Sequence, residues 1–233
     1  MAFKTKVDYF GLTGSLAGLA CVSNADGKTA SVAEAADEAG TIVANTVYGE
    51  TAAPSSSYVV KAAIAATAGT IGLGTASASA EIGAPVVLSS VTISTSAGSA
   101  PTVEASGEMV ETGADQAQAP CIYPLPEFNL GSCHHAQILF SAFTLAGAGC
   151  YLQSANYTAS VTVTKAEKDG ACLAHDVSGG KIEAAVSILQ TGAEAPVLTV
   201  GTGWVVTSPL ACDNPDAAYP TWTATLTHYL ARS

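Results

Sequence analysis

Cys133-His134-His135, with Cys121 before it and Cys150 after it, is the one place in this chain where metal-type ligands crowd together. A zinc site needs about four such donors converging on one point. Adjacent His side chains in an extended segment point to opposite sides, and no Cys-x-x-Cys pair is present, so the segment reads as a thiol beside polar His at a strand entry. His175-Asp176 lies near many Ser, as a hydrolase triad would need, yet no Gly-x-Ser-x-Gly elbow exists. Ala174-His-Asp-Val-Ser-Gly-Gly180 reads instead as a turn into a strand at Lys181. Gly69-Thr-Ile-Gly72-Leu-Gly74 is Gly-rich, but no Lys follows and the next residues do not open a helix, so it is not a phosphate loop. Asn156-Tyr-Thr158 matches a glycosylation acceptor at chance frequency. No catalytic residue, no metal and no cofactor is expected, and the chain reads as non-enzymatic.

Charge is the stronger signal. From Ala62 to Thr164 there is no Lys or Arg, while Glu81, Glu104, Glu108, Glu111, Asp115 and Glu127 all fall inside that stretch. The net charge is −11 and the isoelectric point near 4.5. Binding to DNA or RNA regardless of sequence needs Lys and Arg to displace counterions from phosphates, and no basic patch exists here to do so. A surface of one sign repels like charge, so repulsion of nucleic acid is one use for the acid, and solubility is the other.

The elements that position these residues are strands. Ser57 to Ala63, Pro85 to Thr95, Pro101 to Met109, Gln137 to Leu145, Tyr157 to Lys165, Lys181 to Leu189 and Pro196 to Val200 are β-rich runs bounded by Gly, Pro and Ser clusters. Thr221-Trp-Thr-Ala-Thr-Leu-Thr-His-Tyr-Leu230 alternates strictly, with Thr221, Thr223, Thr225 and Thr227 on one face and Trp222, Ala224 and Leu226 on the other. Tyr157 to Lys165 repeats the pattern, with Ala159, Val161 and Val163 inward. Trp204 and Trp222 both sit in strand-like contexts that suit a core. Faces of Thr and Ser suit cross-strand hydroxyl pairs or a neighbouring subunit. Lys168-Asp-Gly170, Ser178-Gly-Gly180 and Asp213-Asn-Pro-Asp216 read as hairpin connections. The Pro-rich loop from Gly113 to Cys133 is too long for a hairpin and is a candidate intersubunit contact.

Residues 1–56 read as an N-terminal arm and loop region, and 57–233 as one β domain; two fused half-size sandwiches split near Gly147 remain open. Within the arm, Thr29-Ala-Ser31 and the Ala- and Glu-rich run to Gly40 fit a short capped helix or an acidic loop. The fold class expected is mainly β: an antiparallel β-sandwich or barrel with an extended N-terminal arm and at most one or two short helices. Lys4 and Lys6 before Leu12-Thr-Gly-Ser-Leu-Ala-Gly-Leu-Ala-Cys21 superficially resemble a lipoprotein leader. Asp8 and the polar and Gly residues that follow spoil it, so no cleaved leader is expected. No window reaches the roughly 18 apolar residues of a membrane span, and no membrane partner is expected. The six Cys read as buried thiols made in a reducing cytoplasm, with three disulfides as the alternative.

Composition adds one expectation. Hydrophobic residues make up 48% of the chain but aromatics only 6%, and charged residues 12%, about half the usual share. So neutral a surface is a solubility problem unless much of it is buried between subunits, and self-association follows.

Gly49-Glu50, the strand Thr102-Val-Glu-Ala-Ser-Gly-Glu108, Asp176-Val-Ser-Gly-Gly-Lys181 and the closing Thr221-Trp-Thr-Ala-Thr-Leu226 together resemble a virion structural protein. The family resembled is the tail tube proteins of long-tailed bacteriophages, over most of residues 57–233. The resemblance rests on architecture and composition and implies a sandwich or barrel with a flanking helix, assembled as stacked hexameric rings whose inner sheets line a DNA channel. It implies a virion location after assembly in the host cytoplasm, with other virion proteins as partners and DNA passing through without specific binding. Glu104, Glu108, Glu111 and Asp115 are then the candidate lumen-facing acids, and the N-terminal arm and the 113–133 loop the candidate inter-ring contacts. The alternatives are a capsid decoration or head-fibre protein and, from another class, a bacterial surface or carbohydrate-binding β-sandwich.

Overall fold

Alternating Thr/Ser and Val/Ile/Ala runs cannot bury both faces, so they pair side by side and bury one. The computed structural model describes residues 8–36, 38–39, 41–79, 82, 84–110, 121–168 and 171–233. One helical turn, α1 (Leu12–Ser15), precedes β1 (Leu19–Ala25), β2 (Thr29–Ala36), β3 (Ile42–Thr51), β4 (Ser55–Val60), β5 (Ile64–Ala66), β6 (Gly72–Leu73), β7 (Ala76–Ser79), β8 (Ala84–Ser96) and β9 (Ser99–Met109). The second half adds β10 (Tyr123–Pro124), β11 (Phe128–Leu130), β12 (Phe143–Ala146), β13 (Cys150–Lys168), β14 (Ala171–Gln190), β15 (Val197–Val200), β16 (Trp204–Cys212) and β17 (Thr221–Tyr229).

The main sheet is antiparallel and nine-stranded, in the order β1-β4-β9-β8-β13-β14-β17-β16, with β7 also pairing β8. β8 and β13 are neighbours, so one sheet runs across the point near Gly147. One face is buried: Tyr58, Ile93, Tyr157, Ile182, Ile188 and Leu226 are all under 2% exposed. A second layer covers that face, made of the segment before β1 (Phe10, Leu12, Leu16), the short pairs β5/β11 and β6/β10, and the chain around Phe140. The Phe140 ring lies 5.2 Å from Phe128 and 5.8 Å from Tyr157, centroid to centroid, and bridges the layers. The fold is therefore mainly β and sandwich-like, with a single helical turn among the described residues.

Several local expectations give way to packing. Val32 to Ala36 is strand, not helix: β2 pairs β3 in a hairpin that joins no other strand. Gln137 to Ala142 is not strand, because it wraps Tyr157, whose hydroxyl donates to the Gln137 carbonyl and accepts from the Leu139 N–H, each at 3.0 Å. Phe140 and Ser141 both take left-handed backbone there (φ 55° and 49°), so only β12 continues as strand. Ser178-Gly-Gly180 is not a turn but a bulge inside β14, where the register slips opposite Ser160 and Thr162. Gly180 has no room for a Cβ, since the Tyr123 ring lies against its α-carbon. The described part of the 113–133 loop does not project: Tyr123, Leu125, Phe128 and Leu130 are buried in the second layer.

Candidate functional site

The open face of the main sheet is the candidate site. In an antiparallel ladder directly opposed residues share a face. The registers Ser23↔Ser57↔Glu104↔Thr92↔Thr158↔Glu183↔Thr227↔Val205 therefore form one row across the sheet, from edge strand β1 to edge strand β16. The row beside it runs Val59↔Thr102↔Ser94↔Asn156↔Ala185↔Thr225↔Ser208. Nearly every side chain in both is short and most end in a hydroxyl; all are exposed or half-buried except Thr227, which is buried. The hydroxyls partly satisfy one another: Thr92 Oγ1 and Thr158 Oγ1 are 3.2 Å apart, as are Thr207 and Thr227. The buried face owes its side chains to the same alternation one residue out of phase.

Charge on the open face is sparse and mainly negative. Glu104 is exposed at its centre. Glu183 receives the Lys181 ammonium at 3.0 Å, with both side chains about 40% exposed, so the pair adds little stability. Glu108 is half-buried and pairs with Lys165 Nζ at 3.0 Å. The cation just outside the Lys- and Arg-free stretch thus neutralises one of its acids. Glu111 and Asp115, like Glu81 and the Asp169-Gly170 of the expected hairpin connection, lie outside the described residues. Glu127 is exposed just before β11, in the other layer.

The remaining candidates separate. Cys133, His134 and His135 are all exposed, and no group of three or more His, Cys, Asp or Glu is gathered among the described residues as a metal would require. The six cysteines carry free thiols, and none is buried: Cys133 is exposed and the other five half-buried. His175 Nδ1 is buried without a partner, and burial, opposed by Asp176 and reinforced by Lys165, lowers its pKa. Asp176 faces Arg232 at 3.9 Å, and the same guanidinium touches Cys121 Sγ. Gly72 packs its bare α-carbon on Ile122, so this Gly-rich segment serves close packing. Trp204 is buried, and Trp222 is half-buried with its indole N–H donating to Gln190 Oε1 at 2.8 Å.

Two features have weak sequence signals. β16 carries Pro209 and two bulges against β17, which erase its alternation. The β2–β3 hairpin leaves every described side chain from Val22 to Thr51 exposed, with Val32 and Ile42 each more than half so. A small cleft of about 180 Å³ lies at its root, between Thr29, Glu50, Ile82 and Met109. No model of a known protein family matches the chain, and a search of curated proteins finds no match. No described helix is long and apolar enough to cross a membrane.

Proposed function

We propose that the chain is a non-enzymatic virion structural protein, the self-assembling subunit of a tail tube whose stacked rings enclose an acidic, DNA-conducting channel. The observation that carries this reading is the row of short polar side chains from Ser23 to Val205, with Glu104 and Glu183 on it. Turned toward a bore, such a face repels phosphates and offers no free cation for them to adhere to, since Lys181 is held by Glu183. Hydroxyls keep it wet and uncharged elsewhere.

Two further features support assembly. β1 and β16 are the sheet's edges, and edge strands left open invite pairing. Joining β16 of one copy to β1 of the next would carry the sheet around a ring. The β2–β3 hairpin stands apart from the sheet, and a lone two-stranded hairpin is marginal in water. Contact with a neighbouring ring would stabilise it and cover Val32 and Ile42.

Negative-stain electron microscopy of the purified protein over a range of concentrations, with and without reductant, tests the reading. Stacked rings or tubes with a central channel are expected. Closed trimers or dispersed monomers at all concentrations would replace it with a capsid decoration or head-fibre role. One observation favours a second reading, the carbohydrate-binding module: Tyr151 and Tyr229, 61% and 68% exposed, stand on the open face at opposite ends of β13 and β17. Glycan-array binding that is lost on Tyr229→Ala, without self-assembly, would select that module.

A further inference from the structure

Between β11 and β12 the chain sets a thiol against a carboxamide. Gln137 Nε2 donates to Cys133 Sγ at 3.4 Å. The same carboxamide is gripped by one backbone unit: the Gly131 N–H donates to Gln137 Oε1 at 2.7 Å, and Nε2 donates to the Gly131 carbonyl at 3.0 Å. The Gln137 main chain is fixed as well, its N–H donating to buried Thr95 Oγ1 at 3.0 Å and its carbonyl accepting from Tyr157 at 3.0 Å. Gly131 lies beside both groups, a Cβ on it standing at ordinary contact distance, 3.4 Å from Oε1 and 3.6 Å from Sγ. Gln137 is half-buried, while Cys133 opens to solvent.

These contacts suit an acyl transfer within the chain. The carboxamide carbon is one bond from the nitrogen that touches sulfur. Because an N–H···S bond lies in the amide plane, the motion that addition requires is a rotation of the Cys133 side chain that lifts Sγ over that plane while Gly131 holds the carboxamide. The Gly131 N–H sits on the oxygen that becomes negative when sulfur adds, which is the place for an oxyanion donor. The thiolate is the nucleophilic form of cysteine, and Cys133 is open to solvent.

We propose that Cys133 and Gln137 form an intramolecular thioester. Sγ adds to Cδ, the Cδ–Nε2 bond breaks, and the nitrogen leaves as ammonia, its third hydrogen being the one the thiol gives up. No oxidant or reductant takes part. The product is an acyl donor facing solvent, and a primary amine such as a lysine of a neighbouring protein would attack its carbonyl, form an amide at position 137 and release the Cys133 thiol. The inference stands whether or not the chain builds a tube.

Intact-mass spectrometry of the full chain, denatured in acid before any nucleophile is added, decides it. The expected mass is that of the sequence less one ammonia, with one thiol fewer than six alkylated by iodoacetamide. Incubation with methylamine first should replace the lost ammonia by methylamine and return the sixth thiol. Cys133→Ser and Gln137→Glu should both abolish the ammonia loss. A wild-type chain at full sequence mass with six free thiols overturns the proposal. So does conversion of Gln137 to Glu with all thiols free, which would mean hydrolysis alone, and so does an ammonia loss that survives Cys133→Ser.

Discussion

The phenol of Tyr58 donates a 2.5 Å hydrogen bond to Asp8 Oδ1, tying the middle of β4 to a residue fifty positions earlier. The other carboxylate oxygen accepts from the Thr13 N–H and hydroxyl, each at 2.7 Å. One side chain thus closes the turn into α1 and anchors it to the sheet, holding Phe10 and Leu12 in the core. Phe10 fits because Gly107 has no Cβ, which would lie 2.7 Å from the ring. Burial disfavours the Asp8 charge, but the bonds from Tyr58 and Thr13 outweigh it and lower its pKa. The same pairing, after burial, raises the pKa of Tyr58.

Asp8→Asn should therefore cost stability at neutral pH, and about 1–2 kcal/mol is expected for a charge-assisted bond partly open to water. The folded pKa lies below the ordinary 3.8, so this contribution is complete above 3.8 and disappears as pH falls through the lower folded value. Urea unfolding at about pH 7 and again at about pH 3 checks it, the gap between wild type and variant closing in acid. A gap of equal size at both would assign the loss to packing.

His175 acts with the opposite charge logic. Burial is the main cause of its lowered pKa, and Lys165, its cross-strand partner, adds to it while Asp176 opposes. Glu108 faces it through Lys165, and Arg232 through Asp176. A histidine whose folded pKa is below 6.5 stabilises fully above 6.5, and that contribution is lost as pH falls toward the folded value, because the unfolded chain then binds more protons. His175→Gln should flatten the decline in Tm between about pH 7 and pH 5 relative to wild type. An unchanged slope would remove His175 as its source.

Gly180→Ala places a methyl group in the Tyr123 ring, and overpacking of this kind costs about 1–3 kcal/mol. Tyr123→Ala in the same chain should recover part of that loss, since the two residues share one space. Four denaturation curves, for wild type, both single variants and the double, measure the coupling; strict additivity would mean that the bulge, not the ring, resists the methyl.

Legibility in the sequence followed burial. Tyr157 to Lys165 and Thr221 to Leu230 read as strands because each buries one face, and a one-residue slip would turn every side chain over. Asp213-Asn-Pro-Asp216 connects β16 to β17 as its turn residues suggest. At Ser31 to Ala36 both faces are exposed where described, so no periodicity is imposed, and Ala with flanking cap residues reads as helix although a cross-strand partner, β3, makes it strand. Ser178-Gly-Gly180 carries a turn signature because glycine serves turns and close approaches alike, and only Tyr123, far away in sequence, distinguishes them. The open face was half legible. Its hydroxyls follow from alternation, but the alignment of Glu104 with Glu183 depends on registers set by bulges, and the Lys165 partner of Glu108 comes from a strand two positions away in the sheet.

The acid on the open face gives a prediction about DNA. If Glu104 lines a bore, assembled wild-type protein should retain no duplex DNA on a filter even at low salt, because an unpaired carboxylate among hydroxyls repels phosphate. Glu104→Gln should leave retention absent, since removing repulsion supplies no attraction. Glu104→Lys should create it, repeated in every copy of a ring, and retention should fall steeply between about 50 and 200 mM salt as released counterions are driven back onto the DNA. Unassembled Glu104→Lys protein should retain far less, because one cation per chain binds weakly. Retention that is equal in assembled and dispersed protein would place Glu104 on an outer surface, and retention by the wild type would remove repulsion as the purpose of the acid.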